Sequence, residues 1–95
     1  MDRESMLNAA KLRLRKTKSD ALDEDIWQLI QVAVTDLGRI GVSDKFLEDC
    51  EDPLLCEAVL TFVNANYGNN PDREKLMAAY DMMLTKIKGG KYFNV

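Results

Sequence analysis

Residues 58–84 read AVLTFVNANYGNNPDREKLMAAYDMML. The stretch contains two segments in which apolar residues recur every three or four positions, the period of an amphipathic helix. Between them, Tyr67-Gly68-Asn69-Asn70-Pro71 combines the residue types that end a helix and form a tight turn. The stretch therefore predicts an αα-hairpin, in which two consecutive helices pack as antiparallel neighbours.

The ends of both hairpin helices carry capping residues. Asp52-Pro53 predicts the start of the first helix, because Asp caps well and Pro fits the first turn. Asn70-Pro71-Asp72 predicts the start of the second helix by the same logic, and Gly68 and Gly89-Gly90 predict the two ends. The predicted apolar faces are Leu55, Val59, Phe62 and Val63 in the first helix, and Leu76, Tyr80, Met83, Leu84 and Ile87 in the second.

The N-terminal half predicts two more helices, over about residues 3–15 and 21–39, the second followed by Gly41 as a cap. Residues 42–52 read as a polar connection that Phe46 and Leu47 attach to the core. We therefore predict an all-α fold, a small bundle of about four helices with a C-terminal αα-hairpin. One helical domain covers residues 1–88, and residues 89–95 form a tail. The predicted stripes are Leu7, Ala10 and Leu14, then Leu22, Ile26, Leu29, Ile30, Ala33, Leu37 and Ile40.

The composition argues against several classes of function. Ninety-five residues, 46% hydrophobic and 31% charged, are typical of one globular domain. No secretory signal and no apolar run of about 20 residues is visible, so we expect a soluble intracellular protein without a membrane partner. Without histidine, and with Cys50 and Cys56 six positions apart, the chain offers a poor zinc pattern. We predict half-buried free thiols, no catalytic, metal or cofactor site, and no enzyme activity.

The net charge of −3 is unevenly distributed along the chain. Residues 1–18 carry a balance of +4, residues 19–57 carry −9, and residues 58–95 carry +2. Opposite charges at two places on one domain favour head-to-tail docking of copies, because complementary potentials attract. The alternative is that both segments are solvated helix faces.

Several apolar residues lie off the predicted stripes. They either widen the core or cover a subunit interface. A further hypothesis is that residues 91–95 form an arm, hinged at Gly89-Gly90, that docks on a partner or a neighbouring copy; a frayed terminus is the alternative. The candidate interface residues, basic and apolar together, are Lys11, Arg13, Arg15, Lys16, Trp27, Val34, Met77, Met82, Tyr92 and Phe93.

An ordered series of short motifs resembles one protein family over roughly residues 6–88. It is similar to the small, mostly helical head–tail connector family of tailed bacteriophages and prophages, whose members act in DNA packaging or head completion. The series comprises Ala10-Lys11 with Leu14-Arg15, then Asp23-Glu24-Asp25 leading into Ile26, Leu29, Ile30 and Ala33, then Asp52-Pro53-Leu54-Leu55, Ala58-Val59, Ala65-Asn66-Tyr67-Gly68, Tyr80 and Leu84.

The resemblance implies a structural adaptor. Such proteins form a homo-oligomeric ring beneath the portal protein, extend the DNA channel for non-specific passage of DNA, and present a surface to a downstream neck or tail-completion protein. The expected location is the virion, and the host cytoplasm during assembly. The alternative function is a small nucleic-acid-binding regulator that uses its last two helices as a helix-turn-helix, although their predicted exposed faces lack clustered basic residues.

Overall fold

The structure, a computed structural model, describes residues 3–15, 22–49 and 52–90. Within these ranges the chain forms helices joined by turns, and the predicted all-α class is confirmed. The helices, in chain order, are α1 (Arg3–Leu14), α2 (Asp23–Arg39), α3 (Asp44–Asp49), α4 (Pro53–Asn66) and α5 (Arg73–Lys88).

Helix α4 lies at the centre of the fold. It packs against α1, α2 and α5, and its contact with α5 is the most extensive in the bundle. The predicted hairpin of α4 and α5 is therefore confirmed. The residues that α4 buries lie around most of its circumference, which explains why it needs three neighbours. They are Leu55, Ala58, Val59, Leu60, Thr61, Val63 and Ala65.

The predicted start of α4 is confirmed in atomic detail. Asp52 occupies the N-cap position, and its Oδ1 accepts hydrogen bonds from the N–H groups of Leu54, at 2.9 Å, and Leu55, at 3.4 Å. Pro53 is the first helical residue, where its missing N–H leaves no partner unsatisfied. Gly41, after α2, has a φ of 107°, and Gly68, after α4, has a φ of 63°. Glycine adopts such positive φ angles more readily than residues with a side chain, and it often ends a helix for this reason.

The predicted start of α5 is corrected by the structure. The helix begins at Arg73 rather than around Pro71, and Asn70 is not its cap. Instead, the Asn70 side chain closes the turn: its Nδ2 donates to the Asn64 carbonyl at 2.8 Å, and its Oδ1 accepts from the Asp72 N–H at 2.8 Å. An asparagine side chain competes with the helix for these backbone groups and so delays its start.

The segment predicted as a connection between α2 and α4 contains the short helix α3. The carbonyl of Ser43 accepts hydrogen bonds from the N–H groups of Phe46, at 3.0 Å, and Leu47, at 3.3 Å, which start this helix. Phe46 and Leu47 contact the core, as predicted. Six residues are less than two turns, so apolar periodicity could not distinguish this helix from a loop.

Helix α2 begins at Asp23, two residues later than predicted. Leu22, which the sequence pattern placed on the buried stripe, lies at the N-cap position and is exposed. Four of the other predicted positions are fully buried, and Leu29 and Ile40 are half-buried against the core. Ile26, Ile30, Ala33 and Leu37 are each at most 1% exposed.

A buried tyrosine connects α5 with α2. Tyr80 is 2% exposed, and its hydroxyl donates a hydrogen bond to Asp36 Oδ2 at 2.8 Å. Its ring also packs against Phe62 of α4, with the ring centroids 5.2 Å apart. Burial, together with the hydrogen bond to the Asp36 carboxylate, raises the pKa of Tyr80 above its ordinary value near 10.

Replacing Tyr80 by phenylalanine removes this hydrogen bond and leaves a carboxylate oxygen without its donor. We expect Tyr80→Phe to lower the free energy of unfolding by about 1–3 kcal/mol near neutral pH. Urea denaturation followed by circular dichroism measures the change. A cost indistinguishable from zero would mean that the hydrogen bond does not connect α5 to α2 in solution.

The same variant tests the raised pKa. Above about pH 10 an unfolded tyrosine ionises while buried Tyr80 keeps its proton, so the folded state loses stability as pH rises. We therefore expect the stability difference between the native chain and Tyr80→Phe to shrink above that pH. Tyr67→Phe, which removes the hydroxyl of a half-buried tyrosine outside this contact, is the control.

Candidate interaction surface

One candidate interface residue, Lys11, lies inside the chain. It is 7% exposed between α1 and α2, and its Nζ lies 3.0 Å from Asp23 Oδ1. The angles at this contact are not those of a hydrogen bond, so Lys11 and Asp23 interact mainly through the attraction between their charges. Asp23 is the first residue of α2, where a carboxylate also complements the helix dipole. Little of the Lys11 surface is therefore available to a partner.

A second candidate, Arg13, also contacts an acidic residue of its own chain. Its two terminal nitrogens donate to the two carboxylate oxygens of Glu57 on α4, at 3.0 and 2.9 Å. This hydrogen-bonded pair raises the pKa of Arg13 and lowers that of Glu57. Both side chains are partly exposed, so solvent screens their attraction. The pair fixes α1 against α4.

The N-terminal end of α1 forms a third contact of this kind. Arg3 pairs with Glu24 of α2, and its guanidinium lies over the Trp27 ring, 5.1 Å from the centroid. Together with the two pairs above, three basic residues of segment 1–18 meet three acidic residues of segment 19–57 within one chain. The opposite charges that predicted docking between copies are thus partly neutralised inside the monomer.

The remaining basic candidates lie at or beyond the end of α1. Arg15 is exposed and adopts a φ of 60°, which is unusual for a residue with a side chain. Lys16 lies outside the described residues. Among the predicted basic interface residues that the structure describes, Arg15 is therefore the one whose guanidinium is exposed and not paired with an acidic residue of the described ranges.

The apolar candidates divide into two groups. Trp27, Val34 and Met77 are half-buried and pack against the core, so the structure favours the wider-core interpretation for them. Met82 is 66% exposed on α5. Tyr92 and Phe93 lie outside the described residues.

Besides Leu22 at the N-cap of α2, two strongly exposed apolar residues were not among the candidates. Leu12 on α1 is 68% exposed, and Val32 on α2 is 53% exposed. The sequence contained the signal for both, because each falls outside the predicted apolar stripe of its helix when the residues are placed at 100° intervals. With Met82, they put an exposed apolar side chain on each of three helices.

A groove lies beside Val32, between the first half of α2 and the turn that joins α4 to α5. We call it the α2–turn groove; it has a volume of about 520 Å³. Leu29, Val32 and Tyr67 give it an apolar lining, and Asp25 contributes an exposed carboxylate. Gly68, in the turn between α4 and α5, lines one end of the groove. This end of the groove is therefore close to the first residues of α5.

Residues 3–15, 22–49 and 52–90 contain no group of three or more acidic, cysteine or histidine residues placed to hold a metal ion. Nor does any helix among them combine the length and the hydropathy needed to span a membrane. Cys56 is half-buried, as predicted, and Cys50 lies outside the described residues.

Comparisons with protein-family models, with curated proteins and with solved structures found no match. The functional interpretation consequently depends on the ordered sequence series and on the surface described above.

The pair of buried Lys11 and partly buried Asp23 predicts a large cost for removing one partner. Lys11→Met leaves a mostly buried carboxylate without its cation, and we expect a loss of about 2–4 kcal/mol in the free energy of unfolding. Adding Asp23→Asn to this variant should recover more than half of the loss. Urea denaturation of both single variants and the double variant forms a double-mutant cycle. Strictly additive losses would contradict the proposed coupling.

The partly exposed pair of Arg13 and Glu57 predicts a smaller, pH-dependent effect. Glu57→Gln should lower the free energy of unfolding by at most about 1 kcal/mol. Because the folded-state pKa of Glu57 is lowered, this contribution is present above its usual value of 4.5 and is lost as pH falls through the folded-state pKa. The difference from the native chain should therefore vanish in acid. A difference that stays constant as the pH is lowered would contradict the contribution of the pair.

Proposed function

We propose that this chain is a structural adaptor of a tailed bacteriophage or prophage. In this proposal, copies of the chain form a ring at the portal vertex of the head, extend the DNA channel and receive a downstream neck or tail-completion protein. The ordered series of motifs over residues 6–88 supports the family, and the helical bundle agrees with the architecture that the family implies.

The observation that carries the proposal is the exposure of Leu12, Val32 and Met82 on three different helices. Burying such side chains in an interface removes apolar surface from water, which favours association. A ring requires two different complementary surfaces on each copy. Leu12 lies on α1, which packs against α2 and α4, and Met82 lies on α5, which packs chiefly against α4, so these exposed side chains are carried by different helices of the bundle.

The acidic segment 19–57 supports the channel function. Asp44 is exposed and adds to the negative potential of that segment. Carboxylates repel the phosphates of DNA, and a channel lined by them would let DNA pass without holding it.

Reconstitution with a purified portal protein tests this function. We expect the native chain to form a ring on the portal, visible by electron microscopy and as a larger particle in analytical ultracentrifugation. Leu12→Asp and Met82→Asp should each reduce ring occupancy at least about tenfold, because each places a charge in an apolar contact. Asn8→Asp and Thr85→Asp place the same charge at exposed polar positions of the same helices and are the matched controls.

Two outcomes would contradict the adaptor. The first is a chain that neither binds portal nor associates with itself at high concentration. The second is tight binding to duplex DNA that falls steeply with salt, which would favour the nucleic-acid-binding regulator instead.

A further inference from the structure

We infer that the α2–turn groove of one copy receives the C-terminal residues 91–95 of a second copy. The inference rests on the proposed function, since it supplies a contact between copies of the adaptor. The lining of the groove and the composition of residues 91–95 both favour this occupant.

The groove offers an apolar lining with one adjacent negative charge. Val32 is 53% exposed there, and the half-buried side chains of Leu29 and Tyr67 lie beside it. Asp25, one turn of helix before Leu29, is exposed and available to a cation. A complementary segment would therefore carry bulky apolar side chains next to a basic residue.

The C-terminal residues 91–95 have this composition. Lys91 is followed directly by Tyr92 and Phe93. Tyr92 and Phe93 each have a large apolar surface, and burying it against Val32 and Leu29 is favourable. The charge of Lys91 complements that of Asp25.

The tail cannot occupy the groove of its own chain. The groove adjoins Gly68, before the start of α5, and the tail leaves after the other end of that helix, at Gly90. The 16 residues of α5 span about 24 Å. From Gly90, the aromatic pair lies within the next three residues, which reach at most about 11 Å when extended. Only the tail of another copy can place its aromatic residues in the groove.

The contact that follows joins different ends of two copies. One copy contributes the end of the hairpin that carries the tail, and the next contributes the end that carries the turn. Because the two surfaces differ, the association is heterologous, and its repetition gives either a closed ring or a filament. The attraction between Lys91 and Asp25 and the burial of Tyr92 and Phe93 then determine which end of one copy binds the next copy.

Two full-length variants test the contact by complementation. Val32→Asp disables the groove and keeps the tail, whereas the double variant Tyr92→Ser/Phe93→Ser disables the tail and keeps the groove. In sedimentation velocity, we expect each variant alone to associate at least about tenfold more weakly than the native chain. An equimolar mixture should form a complex of two copies and nothing larger, because only one intact groove and one intact tail can meet. Gln31→Asp, an exposed neighbour outside the groove, should associate like the native chain.

Circular dichroism of each variant must first give the native helical signal. Self-association that both variants retain would overturn the inference. A native chain that stays monomeric at every concentration would also overturn it, whereas the adaptor proposal would fall only if portal binding were absent as well. A tail variant that loses portal binding but keeps self-association would assign the tail to the portal and would likewise overturn the contact between copies.

Discussion

The fold depends on enclosing helix α4. Its buried residues include Leu55, Leu60 and Val63, which point in different directions around the helix, so no single neighbour could cover them. Helices α1, α2 and α5 pack around α4 and together cover these residues. Ala58 and Ala65 are fully buried, and their small side chains allow neighbouring helices to approach closely. The other helices need bury only one face, and their outward faces remain available for other contacts.

Polar contacts specify how the surrounding helices are placed. Apolar burial is non-directional, so it does not by itself determine which turn of α5 meets which turn of α2. The hydrogen bond from Tyr80 to Asp36 does so, because its donor and acceptor must meet at a buried position. The bidentate contact of Arg13 with Glu57 likewise specifies how α1 is placed against α4. This contact is weaker because both side chains are partly exposed to solvent.

The sequence predicted the long helices and the hairpin, because their apolar residues repeat over several turns and their ends carry recognisable caps such as Asp52. It failed where a feature depends on tertiary contacts. Spacing along α1 indicated which residues share a face, but it could not show that Lys11 meets Asp23 across an interface. Helix α3 is too short to establish a period, and Asn70 could serve equally well as a cap or as a turn residue until its hydrogen bonds were known. For the candidate interface, we predicted exposed Met82 and missed exposed Val32, although both lie off the predicted apolar stripes of their helices.

The internal ion pairs change the argument for association between copies. If the basic and acidic segments were both free, their attraction would dominate docking and would weaken strongly with salt. Because Arg3, Lys11 and Arg13 already pair within the chain, little basic charge remains at α1 to attract the acidic segment of another copy. The exposed apolar residues Leu12, Val32 and Met82 remain available to another copy, and apolar contacts persist at high salt. Association driven through Val32 and its groove should therefore tolerate salt, whereas association driven by the charged segments would not.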